Sequence, residues 1–266
     1  MDSSINHDPL TMITSNQNSK LKLVRALMGR PKERREAGAF VAEGVRLVEE
    51  AVNAKWPIRF VLYDETLSER GVSQVEGLRS RGVECEEVLP SVMKSLSDTE
   101  SSQGILAILN ESQLPIPDSP SFILIPDQIR DPGNLGTLLR SANAAGVDAV
   151  LIPPETTDPF APKVVRAGMG AHFRTPILST SWEDIVGKLA GLQVYLADMD
   201  GESCWVTNLR QPLALIVGSE AEGASESARQ LASQRIKIPM AGQTESLNAA
   251  VAGSVLMFEV MRQRNL

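Results

Sequence analysis

Apolar residues recur along the chain with two different periods, and the switches between them outline its elements. Residues 19–29 and 40–53 carry helical spacing, with Val41, Val45, Val48 and Val52 on one stripe. Arg59–Tyr63, Glu84–Leu89 and Ile105–Leu109 predict short strands, with helical segments near 72–81 and 91–97 between them. This part predicts a compact α/β sandwich. The pattern beyond it is a cleaner βα alternation. Strands are expected at Phe122–Ile125, Ala149–Ile152, Val194–Ala197, Leu213–Val217 and Ile236–Ile238, and helices at about 134–145, 159–169, 182–190, 225–232 and 246–262. Continuously apolar runs belong to strands buried on both faces, so a mostly parallel sheet is expected. In such sheets ligands bind outside the carboxyl ends of the strands. That directs attention to the loops after Ile125, Val217 and Ile238.

Three prolines interrupt the polar stretch 110–121, Asn-Glu-Ser-Gln-Leu-Pro-Ile-Pro-Asp-Ser-Pro-Ser. Proline neither continues a helix nor sits in a central strand, so this is the expected linker. It divides the chain into a first domain at 18–109 and a second at 122–266. Residues 1–17 are polar, without the apolar core of a signal peptide or the arginines of a transit peptide, and are expected to be a mobile tail, with Met12 an alternative start.

Composition narrows the class. With 42% hydrophobic and 22% charged residues the chain is an ordinary globular protein, not a disordered or collagen-like one. No apolar run approaches the roughly 20 residues needed to span a bilayer. The two cysteines, Cys85 and Cys204, form no C-x-x-C pair and are expected to be reduced thiols of a cytoplasmic protein. Only two histidines occur, His7 and His172, which argues against a Cys/His metal site and a Ser-His-Asp triad; no metal is expected.

The formal net charge of −7 gives no whole-chain signal for a polyanion. Locally the picture changes. Lys20, Lys22, Arg25, Arg30, Lys32, Arg34, Arg35 and Arg46 are opposed only by Glu33, Glu36 and Glu43, a net +5. Residues 49–118 hold thirteen acidic and six basic residues, a net −7. The basic run reads either as a solvated helix face or as a phosphate-contacting surface, the latter if the second domain acts on nucleic acid.

Three loops carry candidate chemistry. The first runs Asp127-Gln-Ile-Arg-Asp-Pro-Gly-Asn-Leu-Gly-Thr-Leu-Leu-Arg, where Pro132 and Gly133 make a turn, Asn134 is positioned to cap the next helix, and Arg140 lies nearly two turns into it. The second, Gly218-Ser-Glu-Ala-Glu-Gly, brings a buried strand into a glycine that lets a ligand approach the backbone, with Glu220 placed to orient a substrate. It is neither a Gly-x-Gly-x-x-Gly dinucleotide fingerprint nor a Walker A loop, which argues against a nicotinamide dehydrogenase. The third runs from Ile238-Pro-Met to Ser246-Leu-Asn248 and enters a helix whose Ala249, Ala250, Ala252 and Gly253 form a small-residue surface.

In order and spacing these loops resemble the three motifs of the SpoU/TrmH-type RNA ribose 2′-O-methyltransferases of the SPOUT superfamily: Asn134-Leu-Gly136-Thr-Leu-Leu-Arg140, Gly218-Ser-Glu220-Ala-Glu-Gly223, and Ile238-Pro239-Met240 followed by Ser246-Leu247-Asn248. The resemblance covers the whole second domain. Phe40-Val-Ala-Glu-Gly-Val-Arg-Leu-Val-Glu-Glu-Ala, after the basic run, is similar to the family's ribosomal-protein-L30e-like α/β substrate-binding domain. Within the family, the run Ile238–Asn248 and the Arg-Gln-Arg ending look most like the bacterial 23S rRNA guanosine 2′-O-methyltransferases. Thr137, Ser141 and Ala250 depart from the residues common in the family, as small changes expected to affect packing rather than chemistry.

The resemblance implies an α/β fold: a SPOUT-type, mostly parallel sheet whose carboxyl-terminal segment threads a trefoil knot, preceded by the L30e-like domain. It implies S-adenosyl-L-methionine as cofactor, held by Gly218, Ile238, Met240 and Leu247. Arg140, Asn134, Glu220, Ser246 and Asn248 would carry catalysis, with Arg140 central. An arginine keeps its proton in proteins, so Arg140 is expected to bind a phosphate and stabilise the developing alkoxide rather than act as a base. The partners implied are RNA, with 23S rRNA favoured, and a second copy of the chain. The homodimer would pair through the last helix, whose Ala249–Gly253 face with Val251, Val255 and Phe258 would serve. A tRNA methyltransferase, a resistance methyltransferase for rRNA and a non-enzymatic RNA-binding ribosome assembly factor are the alternatives. The last predicts damage at catalytic positions, yet Asn134, Arg140, Glu220, Ser246 and Asn248 all stand.

Overall fold

Asn18 opens the first helix by accepting from the Lys20 amide at 2.8 Å. In the computed structural model, which describes residues 12–13, 17–99, 102–219, 222–242 and 246–265, the chain divides into two units. The first comprises Met1–Ser112 with Phe160–Gly170, and the second Gln113–Pro159 with Ala171–Leu266.

The first unit is a mixed four-stranded sheet with helices. Helix α1 (Ser19–Gly29) buries Leu21, Val24 and Leu27. Helix α2 (Pro31–Ala37) starts on a proline and ends at Gly38, whose φ of +54° favours glycine. Strand β1 (Ala39–Glu43) and helix α3 (Val45–Asn53) replace the single helix expected over 40–53. The cause is Gly44, at φ +101°, which breaks the path, while all five residues of β1 are buried. The Val41–Val45–Val48 spacing fits a helix on paper, but β-branched Val41 sits in the sheet and only Val45 and Val48 belong to the helix.

Strand β2 (Ile58–Tyr63), helix α4 (Glu69–Ser80), strand β3 (Glu84–Glu87), helix α5 (Pro90–Leu96) and strand β4 (Ile105–Asn110) complete the run. The sheet order is β1-β4-β2-β3, with β2 and β3 parallel and the other pairs antiparallel. Leu21, Val24 and Leu27 pack on Phe60, Leu62, Leu106 and Ile108 in one apolar cluster. A later stretch also belongs here: Phe160 sets its ring 5.0 Å from that of Phe40, and Arg166 of the helix Pro162–Gly168 (α7 in chain order) reaches Glu43 at 3.4 Å. Of the expected mobile tail, Ile13 is buried and bridges Val88, whereas residues 1–11 and 14–16 lie outside the described residues.

The second unit is a six-stranded sheet in which every pairing is parallel, as the continuously apolar runs predicted. Its strands are β5 (Phe122–Pro126), β6 (Ala149–Ile152), β7 (Ile177–Ser179), β8 (Gln193–Ser203), β9 (Leu213–Val217) and β10 (Gln234–Lys237), in the order β10-β8-β9-β5-β6-β7. Every residue of β5, β6 and β9 is buried. Helices α8 (Trp182–Lys188) and α9 (Glu226–Leu231) bury Ile185 and Ala228 against Ile123, Ile125 and Ile216. Helices α6 (Pro132–Ala144) and α10 (Ala249–Arg264) pack together, with Ser141 Oγ 2.7 Å from Ser254 Oγ. A Cβ on Gly253 would sit 2.5 Å from Leu138 Cδ2 and 3.2 Å from Val217 Cγ2, so a larger residue there would require Leu138 to move. The small face expected to pair two chains is therefore partly used inside one: Ala249, Ala250 and Gly253 are buried, while Val251 and Phe258 remain exposed.

No described helix is long and apolar enough to cross a membrane. Burial pushes the thiols of Cys85 and Cys204 up to about 11, which keeps them protonated and unreactive at neutral pH. Among the described residues, no group of three or more His, Cys, Asp or Glu side chains is placed to hold a metal ion.

Candidate active site

The site is built at the carboxyl ends of β5, β9 and β10, beside the middle of β8. After β5 the chain turns through Asp131, whose side chain accepts from the Asn134 amide at 2.8 Å. Asp131, not Asn134, is thus the N-cap of α6, because Pro132 starts the helix two residues earlier than the expected cap. The Asn134 side chain is released for another task. Its Oδ1 accepts from Nδ2 of Asn248 at 3.0 Å. Asn248 in turn caps α10, its Oδ1 accepting from the amides of Ala250 and Val251 at 3.0 and 3.2 Å. This side-chain pair joins the first and third loops.

The second loop leaves β9 at Gly218. A Cβ there would lie 2.7 Å from Gly223 O and Ala224 N, so the returning strand of the turn forbids any side chain. Ser219 and Gly223 exchange backbone hydrogen bonds at 2.9 and 3.1 Å, closing the turn. Arg130 of the first loop reaches Glu222 of the second at 3.1 Å. Glu220 lies outside the described residues, as do 243–245 of the third loop.

Between the second and third loops lies a cavity of about 800 Å³. Gly218, Ser219 and Glu222–Ala224 form one wall, and Ile238, Pro239, Met240, Ser246 and Leu247 another. Ala249, Ala252 and Leu256 of α10 line it from the helix side. The expected cofactor residues Gly218, Ile238, Met240 and Leu247 therefore share one cavity, together with Ser246. Asn134 and Asn248 stand outside its lining, held to each other. Arg140 is exposed on the outward face of α6, and its guanidinium makes no hydrogen bond or ion pair among the described residues.

Sequence reasoning missed two contributions. Asp198, Met199 and Asp200, where β8 runs on past its pairing with β9, also line the cavity, as does Arg229 of α9. Asp198 lies 3.7 Å from Arg229 and 3.5 Å from Arg235. Residues 198–200 directly follow the expected strand Val194–Ala197, but the strand-end rule was applied only to the loops after Ile125, Val217 and Ile238. Asp127 is the other omission. It is fully buried at the end of β5, and its carboxyl is held above the usual carboxylate range, first by burial and then by nearby Glu155.

The basic run divides in the structure. Lys22, Arg30, Lys32, Arg35 and Arg46 are exposed and Arg25 is half-buried. Lys20 is drawn onto Glu84 and Glu86, and buried Arg34 donates to Leu27 O at 2.6 Å. These two side chains are engaged within the first unit.

The cavity fits a nucleoside-sized ligand. Its volume lies in the ordinary range for small-molecule sites, and its walls are apolar with exposed backbone and a few charged groups. The sequence model of the SpoU rRNA Methylase family matches residues 121–258, more than half of the chain, and that of the MRM3-like substrate binding domain matches 18–107. The 23S rRNA guanosine 2′-O-methyltransferase RlmP of Bacillus subtilis is 32% identical over 94% of this chain and 99% of its own. A 23S rRNA uridine 2′-O-methyltransferase of Streptomyces viridochromogenes is 29% identical over 96% of this chain and 94% of its own. The crystal structure of the SpoU methyltransferase AviRb from Streptomyces viridochromogenes, in complex with the cofactor AdoMet, superposes with a TM-score of 0.83 at 29% identity, covering 94% of this chain and 99% of that one. Three strand-end loops gathered on a parallel sheet, with these matches along nearly the whole chain, place the protein in the SpoU rRNA Methylase family, the S-adenosylmethionine-dependent RNA 2′-O-methyltransferases.

Proposed function

We propose that the protein methylates a ribose 2′-hydroxyl of 23S rRNA in the cytoplasm, with S-adenosylmethionine in the cavity between Gly218 and Leu247. The observation that carries the reading is the Asn134–Asn248 hydrogen bond, which ties the loop bearing Arg140's helix to the entrance of the helix lining that cavity. The rRNA assignment is supported by the two relatives, both 23S rRNA enzymes, and by the substrate-binding match over the first domain. The domain division is read as 18–109 for RNA binding, 110–121 as linker and 122–266 for methyl transfer.

When bound, S-adenosylmethionine supplies an activated methyl group on a sulfonium. Ile238, Leu247 and Leu256 would hold its apolar parts, and the bare backbone at Gly218 would admit its close approach. Arg140, exposed and without a partner in the described chain, holds a substrate phosphate and stabilises negative charge on the ribose oxygen as its proton leaves. Asn134 and Asn248 fix the geometry of the two loops, Ser246 stands in the cavity lining, and Glu220 takes the catalytic role that its motif implies. Lys22, Arg25, Arg30, Lys32, Arg35 and Arg46 contact RNA phosphates, with Lys20 and Arg34 shaping the surface they stand on.

The reading includes a homodimer and a carboxyl-terminal trefoil knot. Exposed Val251 and Phe258 on α10 support the first. The knot rests on the family membership alone. Mapping ribose methylation across total RNA with and without this protein tests the function. One 23S rRNA ribose should lose its methyl group in the absence of the protein; an unchanged map, or a change confined to tRNA, contradicts the assignment.

A further inference from the structure

Asp127 sits where the first loop begins, yet its interactions lie with the second. Its backbone N–H donates to Val217 O at 2.8 Å, the last carbonyl before the cavity loop. Its side-chain Oδ2 accepts from the Ser225 amide at 2.6 Å, just after that loop. One residue therefore grips both ends of the segment 218–224. Five residues of that segment, Gly218, Ser219, Glu222, Gly223 and Ala224, line the cavity.

The arrangement is costly if stability alone is considered. Asp127 is fully buried, and its Oδ1 has no hydrogen-bond partner among the described residues. A buried carboxyl with one bare oxygen is unfavourable relative to an apolar side chain of similar size. What the carboxyl secures is the position of Ser225. That residue caps α9, its Oγ accepting from the Ala228 amide at 3.2 Å. The cap orients the first turn of α9, from which Arg229 donates to Ala224 O at 3.1 Å and lines the cavity.

We propose that Asp127 is a positioning residue for S-adenosylmethionine, clamping both ends of the 218–225 loop so that the cavity wall is formed before the cofactor arrives. This rests on the reading that the cavity takes S-adenosylmethionine. A wall set in advance lowers the ordering cost of binding, so its loss raises the cofactor's Kd and KM more than it lowers kcat.

The test combines amide hydrogen exchange with calorimetric titration of S-adenosylmethionine, on the full chain without cofactor. In the wild-type protein the Ser225 amide should be among the slowest to exchange in 218–225; fast exchange there overturns the proposal whatever the variants do. In Asp127→Ala, exchange across 219–225 should rise about tenfold while β5 and β9 stay protected, and the Kd should rise about tenfold. Asp127→Asn retains an oxygen for the Ser225 amide and should recover most of both. Exchange that rises equally throughout the sheet marks a merely structural role and overturns the proposal, as does wild-type exchange with weakened binding. Local loosening with unchanged affinity overturns the proposal while the cavity stands as the cofactor site; absence of binding to the wild-type protein removes the site itself.

Discussion

Asn134 and Asn248, 114 residues apart, are joined by an amide–amide hydrogen bond of 3.0 Å. Asn248 has a second role as the cap of α10 and Asn134 does not cap α6, so the two halves of the pair should respond differently to truncation. Asn248→Ala should cost about 1 kcal/mol of stability through the lost cap. Asn134→Ala should cost less while still lowering methyl transfer. A double-mutant cycle read by chemical denaturation should give a coupling of about 0.5–1 kcal/mol. Strict additivity would show that the bond does not couple the loops.

Arg140 is exposed and unpartnered among the described residues, so its truncation should leave the fold intact. Arg140→Ala should shift stability by no more than about 0.5 kcal/mol. The same change should reduce turnover on the order of 10²–10³-fold, with the affinity for S-adenosylmethionine unchanged. Single-turnover methyl transfer beside calorimetry separates these readouts. Substantial remaining turnover would remove Arg140 from the chemistry.

Gly218 admits no Cβ, since one would press on Gly223 O and Ala224 N at 2.7 Å. Gly218→Ala should therefore displace the cavity wall and weaken cofactor binding at least tenfold, a cost of about 1.4 kcal/mol. Gly77, within α4 and with nothing within 4 Å of its added Cβ, is the control. Gly77→Ala should stabilise the protein by roughly 0.5–1 kcal/mol and leave binding alone. Equal cofactor affinity in both variants would contradict the assignment of the wall.

His172 is almost fully buried, and its Nε2 donates to Pro159 O at 2.7 Å. Burial drives its pKa down to about 4 from 6.5, so the folded chain keeps the ring neutral where the unfolded chain protonates it. The stability from this site is fully present above about pH 6.5 and is lost as pH falls toward 4. The loss should approach about 1.4 kcal/mol per pH unit in that window and level off below it. In unfolding titrations His172→Gln should lack that slope, even if it is less stable at neutral pH. An unchanged slope would assign the acid sensitivity to other groups.

The parallel sheet was legible because β5, β6 and β9 are buried on both faces and so are written as unbroken apolar runs. Strand β7 escaped notice, being three residues long and only half-buried at the sheet edge. The helix expected over 40–53 shows the limit of periodicity. Val41, Val45 and Val48 suit a helix or a strand followed by a helix, and the φ of +101° at Gly44 decides between them. Gly218, Ile238, Met240 and Leu247, named from the family resemblance, share one cavity because their motifs follow strand ends. Asp127 was not, because its significance lies in a hydrogen bond to Ser225, 98 residues away. Nor was the fate of Lys20 and Arg34, which looked like their basic neighbours until Glu84, Glu86 and Leu27 O took them up.

The most direct measurement is the crystal structure of this protein with S-adenosylmethionine bound. The account predicts the adenosyl group in the cavity between Gly218 and Leu247, with its sulfonium methyl facing a space that an Arg140 guanidinium reaches, from the same chain or from a second copy. Cofactor density elsewhere on the molecule, or density in this cavity with every Arg140 of the assembly out of reach, would contradict it.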